Sequence, residues 1–401
     1  MESALNLYIM TIFLASSVEL YCVNSKFCTP CRKVPVNTFE TTCKLPENPM
    51  TSVVKIRHSV RDVLLIRCYR NDPPWTMFHF EKNETLSYNV STVVMEYCAV
   101  PSNMLLHEVI NLFVPNTFTQ LVLDNLQKSL RNLTRNDFDG LSALHVLKIS
   151  AITMSDLPAD LLHDLTSLLQ LEIKESLFEK LPTTFFNLPD LEELSVYNNS
   201  LKTFETNQFH QLTGLRLLNL AHNQLTELAP SIFKELVSLY NLNLAGNNIE
   251  RLNSEVFKTL KFMTVINLDK NNFTESGIPQ NLFQHNGALL SVSLCHNKRQ
   301  LFSLPEGLFR NPYNLRSVTI THSRLVVLPP DLLAGVMALE NVTLSHNKIQ
   351  EIPDGFLNDC GLIRRISLAH NEISHLPIDT FRSTSYLRSL DLSYNQLKEF
   401  N

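Results

Sequence analysis

Residues 215–225, LRLLNLAHNQL, place leucine at 215, 218, 220 and 225 and asparagine at 223, and this spacing returns along most of the chain. LYNLNLAGNNI from Leu239, MTVINLDKNNF from Met263, LENVTLSHNKI from Leu339, IRRISLAHNEI from Ile363 and LRSLDLSYNQL from Leu387 share its phase. First positions at Leu144, Leu168, Leu191, Leu215, Leu239, Met263, Leu289, Leu315, Leu339, Ile363 and Leu387 are separated by 24, 23, 24, 24, 24, 26, 26, 24, 24 and 24 residues. Six residues ahead of each stands an apolar anchor: Phe138, Leu162, Phe185, Phe209, Phe233, Phe257, Phe283, Phe309, Leu333, Leu357 and Phe381. Two independent positions kept in phase over eleven units exclude an ordinary globular arrangement of unrelated elements.

The pattern is that of an α/β leucine-rich-repeat solenoid. The L-x-L core predicts a short strand with its leucines pointing inward and the residues between them pointing out. One unit cannot bury its apolar edge alone, so successive units stack and share a core. A curved parallel sheet is expected on the concave side, with the phenylalanines on short helical or 3-10 turns of the convex side. At ~4.8 Å per strand, about thirteen repeats form a strip of roughly 60 Å. Asn199, Asn223, Asn247, Asn271, Asn297, Asn347, Asn371 and Asn395 end the strands, and their amides are expected to bond the turn and the next coil.

Before the repeats, residues 1–21 combine an apolar run (Leu5–Leu14) with the small residues Ala15, Ser16 and Ser17, which reads as a secretory signal peptide. The run is too short to span a bilayer. Residues 22–112 form a cysteine-rich cap that merges into a first degenerate repeat, and 113–401 are repeats. Cys22, Cys28, Cys31, Cys43, Cys68 and Cys98 crowd into the cap; beyond a signal peptide they read as a disulfide framework whose connectivity the sequence leaves open. Zinc or redox chemistry at Cys28 and Cys31 would need a reduced compartment or a second paired motif, and neither is in evidence. Two strands over Val53–Arg57 and Val63–Ile66 are expected to cover the open end of the core. Trp75 reads as a cap core residue rather than a binding anchor. Val90, Val93, Met95, Cys98 and Val100 fit the repeat with cysteine at the asparagine place, and Phe118, Leu121, Leu123 and Leu126 fit a second irregular unit. Ile152, Ser176 and Ser323 also replace that asparagine; the early irregularity either adapts the coils to the cap or shapes them for a partner. The insertion at Lys298–Phe302 lengthens one repeat. Cys360 is expected to be a buried thiol, and Cys295, on an outward strand position, stands too far from it to bridge.

A net charge of −5 with pI near 6.2 gives no reason to expect nucleic acid or anionic lipid as a partner. Six sequons, at Asn83, Asn89, Asn132, Asn198, Asn272 and Asn341, predict surface glycosylation. His222, His296, His322, His346 and His370 share one place in the repeat, just before the ladder residue. Their spacing admits a metal or pH-sensing site, but no acidic or cysteine partner recurs beside them, and structural filling of the rim is the favoured reading. No nucleophile elbow, zinc-protease motif or phosphate-binding glycine loop is present, so no enzyme and no cofactor is expected. Function is expected on the outward strand faces.

Signal, cap and repeat order together resemble the amino-terminal ectodomain of insect Toll receptors. The stretches that carry the resemblance are Cys28–Cys43 with Pro46-Glu47-Asn48-Pro49, the strands of Cys68 and Cys98, and Asn281–Ile320, which contains the lengthened repeat. The resemblance implies a cell-surface receptor for a Spätzle-like cystine-knot cytokine dimer, acting in immunity or development by pairing of receptors. It implies ligand contact on the cap and early concave side, which maps here onto Glu172, Lys174, Tyr197, Asn219 and His222. It also implies a carboxy-terminal cap, a membrane span and a cytoplasmic signalling domain, whereas this sequence stops at Asn401 within a repeat, so a fragment is expected. The membrane would then be reached only through that missing part. As given, the chain reads as secreted, with a secreted adhesion or decoy protein as the alternative.

Overall fold

The computed structural model describes residues 32–34, 38–44, 52–59, 62–69, 90–100, 102–114, 117–126, 131–152, 154, 156–297 and 301–398. The expectations for the signal peptide, for Cys22, Cys28 and Cys31, for the Cys43 side chain, for Trp75, for Asn83 and Asn89, and for Lys298–Gln300 of the insertion fall outside these residues. The chain divides into two compact units, Met1–Ser176 and Leu177–Asn401.

The first unit opens with an antiparallel meander, β1 (Arg32–Val34), β2 (Thr38–Lys44), β3 (Ser52–Ser59) and β4 (Val63–Cys68). The two strands expected around Val53 and Val63 are therefore β3 and β4. On its other side β4 pairs in parallel with β5 (Thr92–Glu96), and β6 (Gln120–Asp124), β7 (Val146–Ser150) and β8 (Gln170–Lys174) continue in parallel. β4 thus serves both as the last strand of the meander and as the first of the coil stack. Period-two burial makes this possible: Leu64 and Ile66 point inward and sit opposite Val93 and Met95, and all four are buried. One helix, α1 (Leu106–Asn111), lies between β5 and β6; the Glu108 carboxylate accepts the Leu105 N–H at 2.8 Å and so serves an otherwise unpaired first-turn donor.

The second unit stacks β9 (Glu193–Tyr197), β10 (Leu217–Asn219), β11 (Asn241–Asn243), β12 (Val265–Asn267), β13 (Ser291–Ser293), β14 (Ser317–Thr319), β15 (Asn341–Thr343), β16 (Arg365–Ser367) and β17 (Ser389–Asp391), all parallel and in identical register. From β10 to β16 the central residue of each strand (Leu218, Leu242, Ile266, Val292, Val318, Val342 and Ile366) is buried.

The asparagines form the expected ladder, with one correction of direction. Asn223 donates to Leu220 O at 3.1 Å in its own turn and to Val196 O at 2.8 Å in the preceding coil, and accepts the Leu201 N–H at 3.2 Å. Asn247, Asn271, Asn371 and Asn395 repeat the motif, each reaching back one coil rather than forward. At Ser323 a hydroxyl takes over, donating to Leu294 O at 2.9 Å and accepting the Asn297 N–H at 3.2 Å. Each asparagine amide therefore bridges the strand-end carbonyl of its own coil to that of the coil before.

Among the convex anchors, Phe209, Phe233, Phe257, Phe283 and Phe309 stack in one file with centroids 6.1–6.3 Å apart. Each is fully buried, worth ~1.5–3 kcal/mol by transfer alone. Most convex segments are turns; 3-10 geometry at the anchors occurs at Arg135–Phe138 and Thr183–Phe186. Cys295 and Cys360 are both free thiols. Cys360 is buried as expected, and burial with nearby Asp359 pushes its thiol up to about 12. Cys295 does not take the expected outward strand position: it lies just past β13, at a repeat place that is also buried at Ala221, Ala245 and Ala369, and its sulfur accepts Thr321 N–H of the next coil at 3.4 Å.

Candidate functional site

The outward strand faces of the two units differ in chemistry. In the first unit β7 and β8 carry charge. Lys148 Nζ stands 3.6 Å from Glu172 Oε2, and Lys174 Nζ 3.7 Å from Glu172 Oε1 and 4.0 Å from Glu175 Oε1. Glu172 and Lys174 are therefore members of one alternating row, half-buried, with Glu172 flanked by two ammonium groups. Such partly exposed pairs add ~0–1 kcal/mol to stability.

The other candidates belong to the second unit. Tyr197 is half-buried at the end of β9. Asn219 at the end of β10 turns its Oδ1 onto its own backbone, accepting Ala221 N–H at 3.1 Å. Asn243 does the same for Ala245 at 3.1 Å and Asn267 for Asp269 at 3.0 Å. Asn219 is thus one member of a second repeated asparagine device that closes the strand end, which the sequence reading missed; the recurrence of asparagine at 219, 243 and 267 was the available signal. His222 sits at φ +53° with its ring across Gly246 of the next coil, where an added Cβ would come within 2.6 Å of Nδ1. Gly246, at φ +69°, is the position where a side chain would strike that ring.

The remaining histidines form a continuous stack. His296 and His322 have centroids 4.6 Å apart, His322 and His346 4.2 Å, and His346 and His370 4.1 Å; Tyr394 closes the file on His370 at 4.1 Å. Each lies in the left-handed region, at φ 52–61°. That conformation repeats at the same place in other coils, at Lys270, Asn198 and Glu175, so the backbone turn comes first and the rings stack as its consequence. Their faces are spent on one another, which is packing geometry. Among the described residues no group of three or more His, Cys, Asp or Glu is placed to hold a metal ion.

The cysteine at the first ladder position is joined to the preceding strand: Cys68 and Cys98 form a disulfide with Cα atoms 4.9 Å apart. A covalent bond there takes the place of the amide bridge used later. Nearby, Asp137 is wholly buried and bound by Arg131, by the Leu106 and Thr134 N–H groups (2.9 and 2.8 Å) and by the Thr134 hydroxyl. Burial pushes its carboxyl up, but the Arg131 guanidinium and the backbone donors outweigh this and hold it below its ordinary value. Of the described sequons, Asn132 and Asn198 are exposed and Asn272 and Asn341 half-buried; Asn341 accepts Arg365 Nη1 at 3.1 Å.

A family profile described as Leucine rich repeat matches residues 171–225, 213–273 and 361–401. Among curated proteins the chain is 36% identical over 76 residues to leucine-rich repeat-containing G-protein coupled receptor 6 of Danio rerio, covering 19% of this chain and 8% of that receptor. Among solved structures it resembles a chain of the Toll–Spatzle complex, described as a molecular hub in Drosophila development and innate immunity. That match has 27% identity and a TM-score of 0.83, over 92% of this chain and 48% of the other. A chain of the TLR13–ssRNA13 complex shares the fold, at 20% identity and TM-score 0.56 over 77% of this chain and 46% of that one. The chain therefore spans about half the length of the Toll-complex chain and a small part of the fish receptor. It is a leucine-rich-repeat solenoid with structural similarity to Toll-type ectodomains.

Proposed function

We propose that this chain is the ligand-binding part of a Toll-type cell-surface receptor, and that its ligand is a Spätzle-like cystine-knot cytokine dimer with a role in innate immunity or development. The observation that carries this reading is the likeness, over 92% of the chain at 27% identity, to a chain of the Toll–Spatzle complex. The chemistry is compatible: a receptor for a folded protein needs a rigid face with outward side chains rather than a catalytic cavity, and repeat coils supply one. Among the described residues no helix is long and apolar enough to cross a membrane, so membrane attachment would come from sequence outside them. Residues 1–21 act as the signal peptide, residues 22–112 as the cap and 113–401 as the repeats in this reading. The remaining cap cysteines pair with one another, and the sequons carry glycans.

Glu172, Lys174, Tyr197, Asn219 and His222 are the proposed contacts, with Glu172 and Lys174 the energetic centre because they are the charged members of the set, half-buried on the outward face of β8. The test is calorimetry of the chain with a recombinant Spätzle dimer, using E172K and K174E. Each single reversal is expected to weaken binding about tenfold or more, with unchanged melting. Unchanged affinity in both variants would reject the contact assignment, and no binding by the unaltered chain would reject the receptor reading.

A further inference from the structure

We propose that the edge just ahead of the strands in the second unit, over the four coils beginning at Leu315, Leu339, Ile363 and Leu387, is a separate docking surface for an acidic protein partner. In each of these coils one large apolar side chain stands one or two residues before the first leucine and is left in water: Tyr313 (65% exposed), Met337 (68%), Leu362 (48%) and Tyr386 (59%). One exposed apolar residue needs no explanation, but four at two adjacent places in successive coils line one edge. The coils are in strict register there, with Arg316 N–H on Leu290 O, Glu340 on Arg316, Arg364 on Glu340 and Arg388 on Arg364 at 2.8–2.9 Å. Equivalent positions therefore repeat every ~4.8 Å. Tyr313 lies back over Gly287 of the preceding coil, where an added Cβ would come 3.0 Å from the phenol oxygen, so its ring is held along the edge.

Beside these side chains runs a row of guanidinium groups that outnumber the carboxylate among them. Arg316, Arg364 and Arg388 occupy the second position of their coils and Arg365 a third position, and Glu340 is the one carboxylate at those positions. Glu340 is shared by Arg316 at 3.7 Å and Arg364 at 3.0 Å. Arg365 bonds the neutral Asn341 amide. Four cations and one anion leave 4 − 1 = +3 on this edge, in a chain whose net charge is −5. Asp391 lies further across β17 and is bonded to the Ser393 hydroxyl at 2.7 Å.

Tyrosine, methionine and arginine together, without lysine, are the composition of an interface core rather than of a solvated face. The charge selects the partner. A second copy applied through the same edge about a two-fold axis would set arginines against arginines, so the edge fits a different protein with carboxylates around an apolar centre. A bare polyanion would leave the apolar side chains in water. This surface is independent of Glu172, Lys174 and the other proposed cytokine contacts, so the two readings fail separately.

The experiment uses the full chain with an acidic-aromatic probe, a poly(Glu,Tyr) copolymer, measured beside heparin and beside sedimentation of the chain alone. The variants are R364E/R388E and M337S/L362S, all at exposed positions, with thermal melting as the folding control. Copolymer binding is expected, and each pair is expected to weaken it about tenfold. The proposal is overturned if the copolymer does not bind, or if either pair leaves its affinity unchanged. Heparin binding that is tighter and insensitive to M337S/L362S would make the site a polyanion site. Self-association abolished by these variants would make the occupant a second copy. Either result also overturns it.

Discussion

The two units solve the same problem, holding stacked coils together, by opposite means. In Leu177–Asn401 the solution is periodic: the same asparagine bridges and the same phenylalanine file recur in coil after coil. In Met1–Ser176 the left-handed turn recurs too, at Tyr97, Asn125, Ala151 and Glu175, but the ladder place is held by Cys98, Leu126, Ile152 and Ser176. The Ser176 hydroxyl bridges back to accept Ile152 N–H, and the rest of the stitching uses bonds that occur once: the Cys68–Cys98 disulfide, half-buried Arg131 on buried Asp137, and the Arg67–Glu96 and Arg135–Asp164 pairs. The difference teaches that periodicity distributes stability evenly, whereas unique bonds concentrate it. Two of these bonds, Cys68–Cys98 and Arg67–Glu96, lie where the chain changes from an antiparallel meander to parallel coils, and the other two lie in the irregular coils that follow.

The largest expected effect breaks the first unit at its most concentrated point. Asp137→Ala takes the carboxylate from half-buried Arg131 and strands the Leu106 and Thr134 N–H groups, each at ~1–3 kcal/mol, a loss of ~3–5 kcal/mol together. Chemical denaturation followed by a probe in the first unit reads it. The same group fixes a pH dependence. Its folded pKa lies below its ordinary value, so its contribution is complete above the ordinary carboxylate range and is lost as pH falls through the depressed folded value. Unfolding of the first unit by acid should accordingly need pH below that range, and D137N should flatten this arm of the profile.

Next in size is the second unit's ladder. Asn247→Ala takes from Leu225 N–H its side-chain acceptor and removes one of the two amide donors on Leu220 O and on Leu244 O, which keep Asn223 and Asn271, at ~1–3 kcal/mol. The comparison is sharpened by repeating the change at Asn223, Asn271 and Asn371: periodic stitching predicts equal losses within ~0.5 kcal/mol of one another. A graded series would show that the second unit also has a privileged coil.

The smallest effect separates backbone from ring in the histidine file. His346→Gly relieves the left-handed turn while losing two stacking contacts, and should change stability by less than ~1 kcal/mol. His346→Val, β-branched at the same φ, should cost ~1–3 kcal/mol. Equal losses in the two variants would show that the rings, not the turn, decide this position.

The periodic half of the molecule is the legible half. Leucine spacing, the asparagine places and the phenylalanine anchors all follow from a repeat whose geometry each coil imposes on the next. Strand positions such as Val53–Arg57 and Leu121–Leu123 could be read locally as well, from alternation. What could not be read are bonds between residues that no period relates. Arg131 finds Asp137 six residues on while Leu106 N–H reaches it across thirty-one, and Cys68 takes Cys98 from among fifteen formal connectivities of the six cap cysteines. Orientation was equally hidden. Spacing put the histidines on neighbouring coils, but face-to-face packing depends on a positive φ at residues that are not glycine. Asn219 looked available for a ligand because the sequence cannot say that its oxygen turns back to Ala221.

The receptor reading is tested most directly by a hydrogen-exchange footprint of the full chain with and without a Spätzle dimer. The account predicts protection at 170–174, 193–197 and 217–222, and none at 313–316 or 362–365. A bound dimer that protects only the latter segments, or only the convex turns, would contradict it.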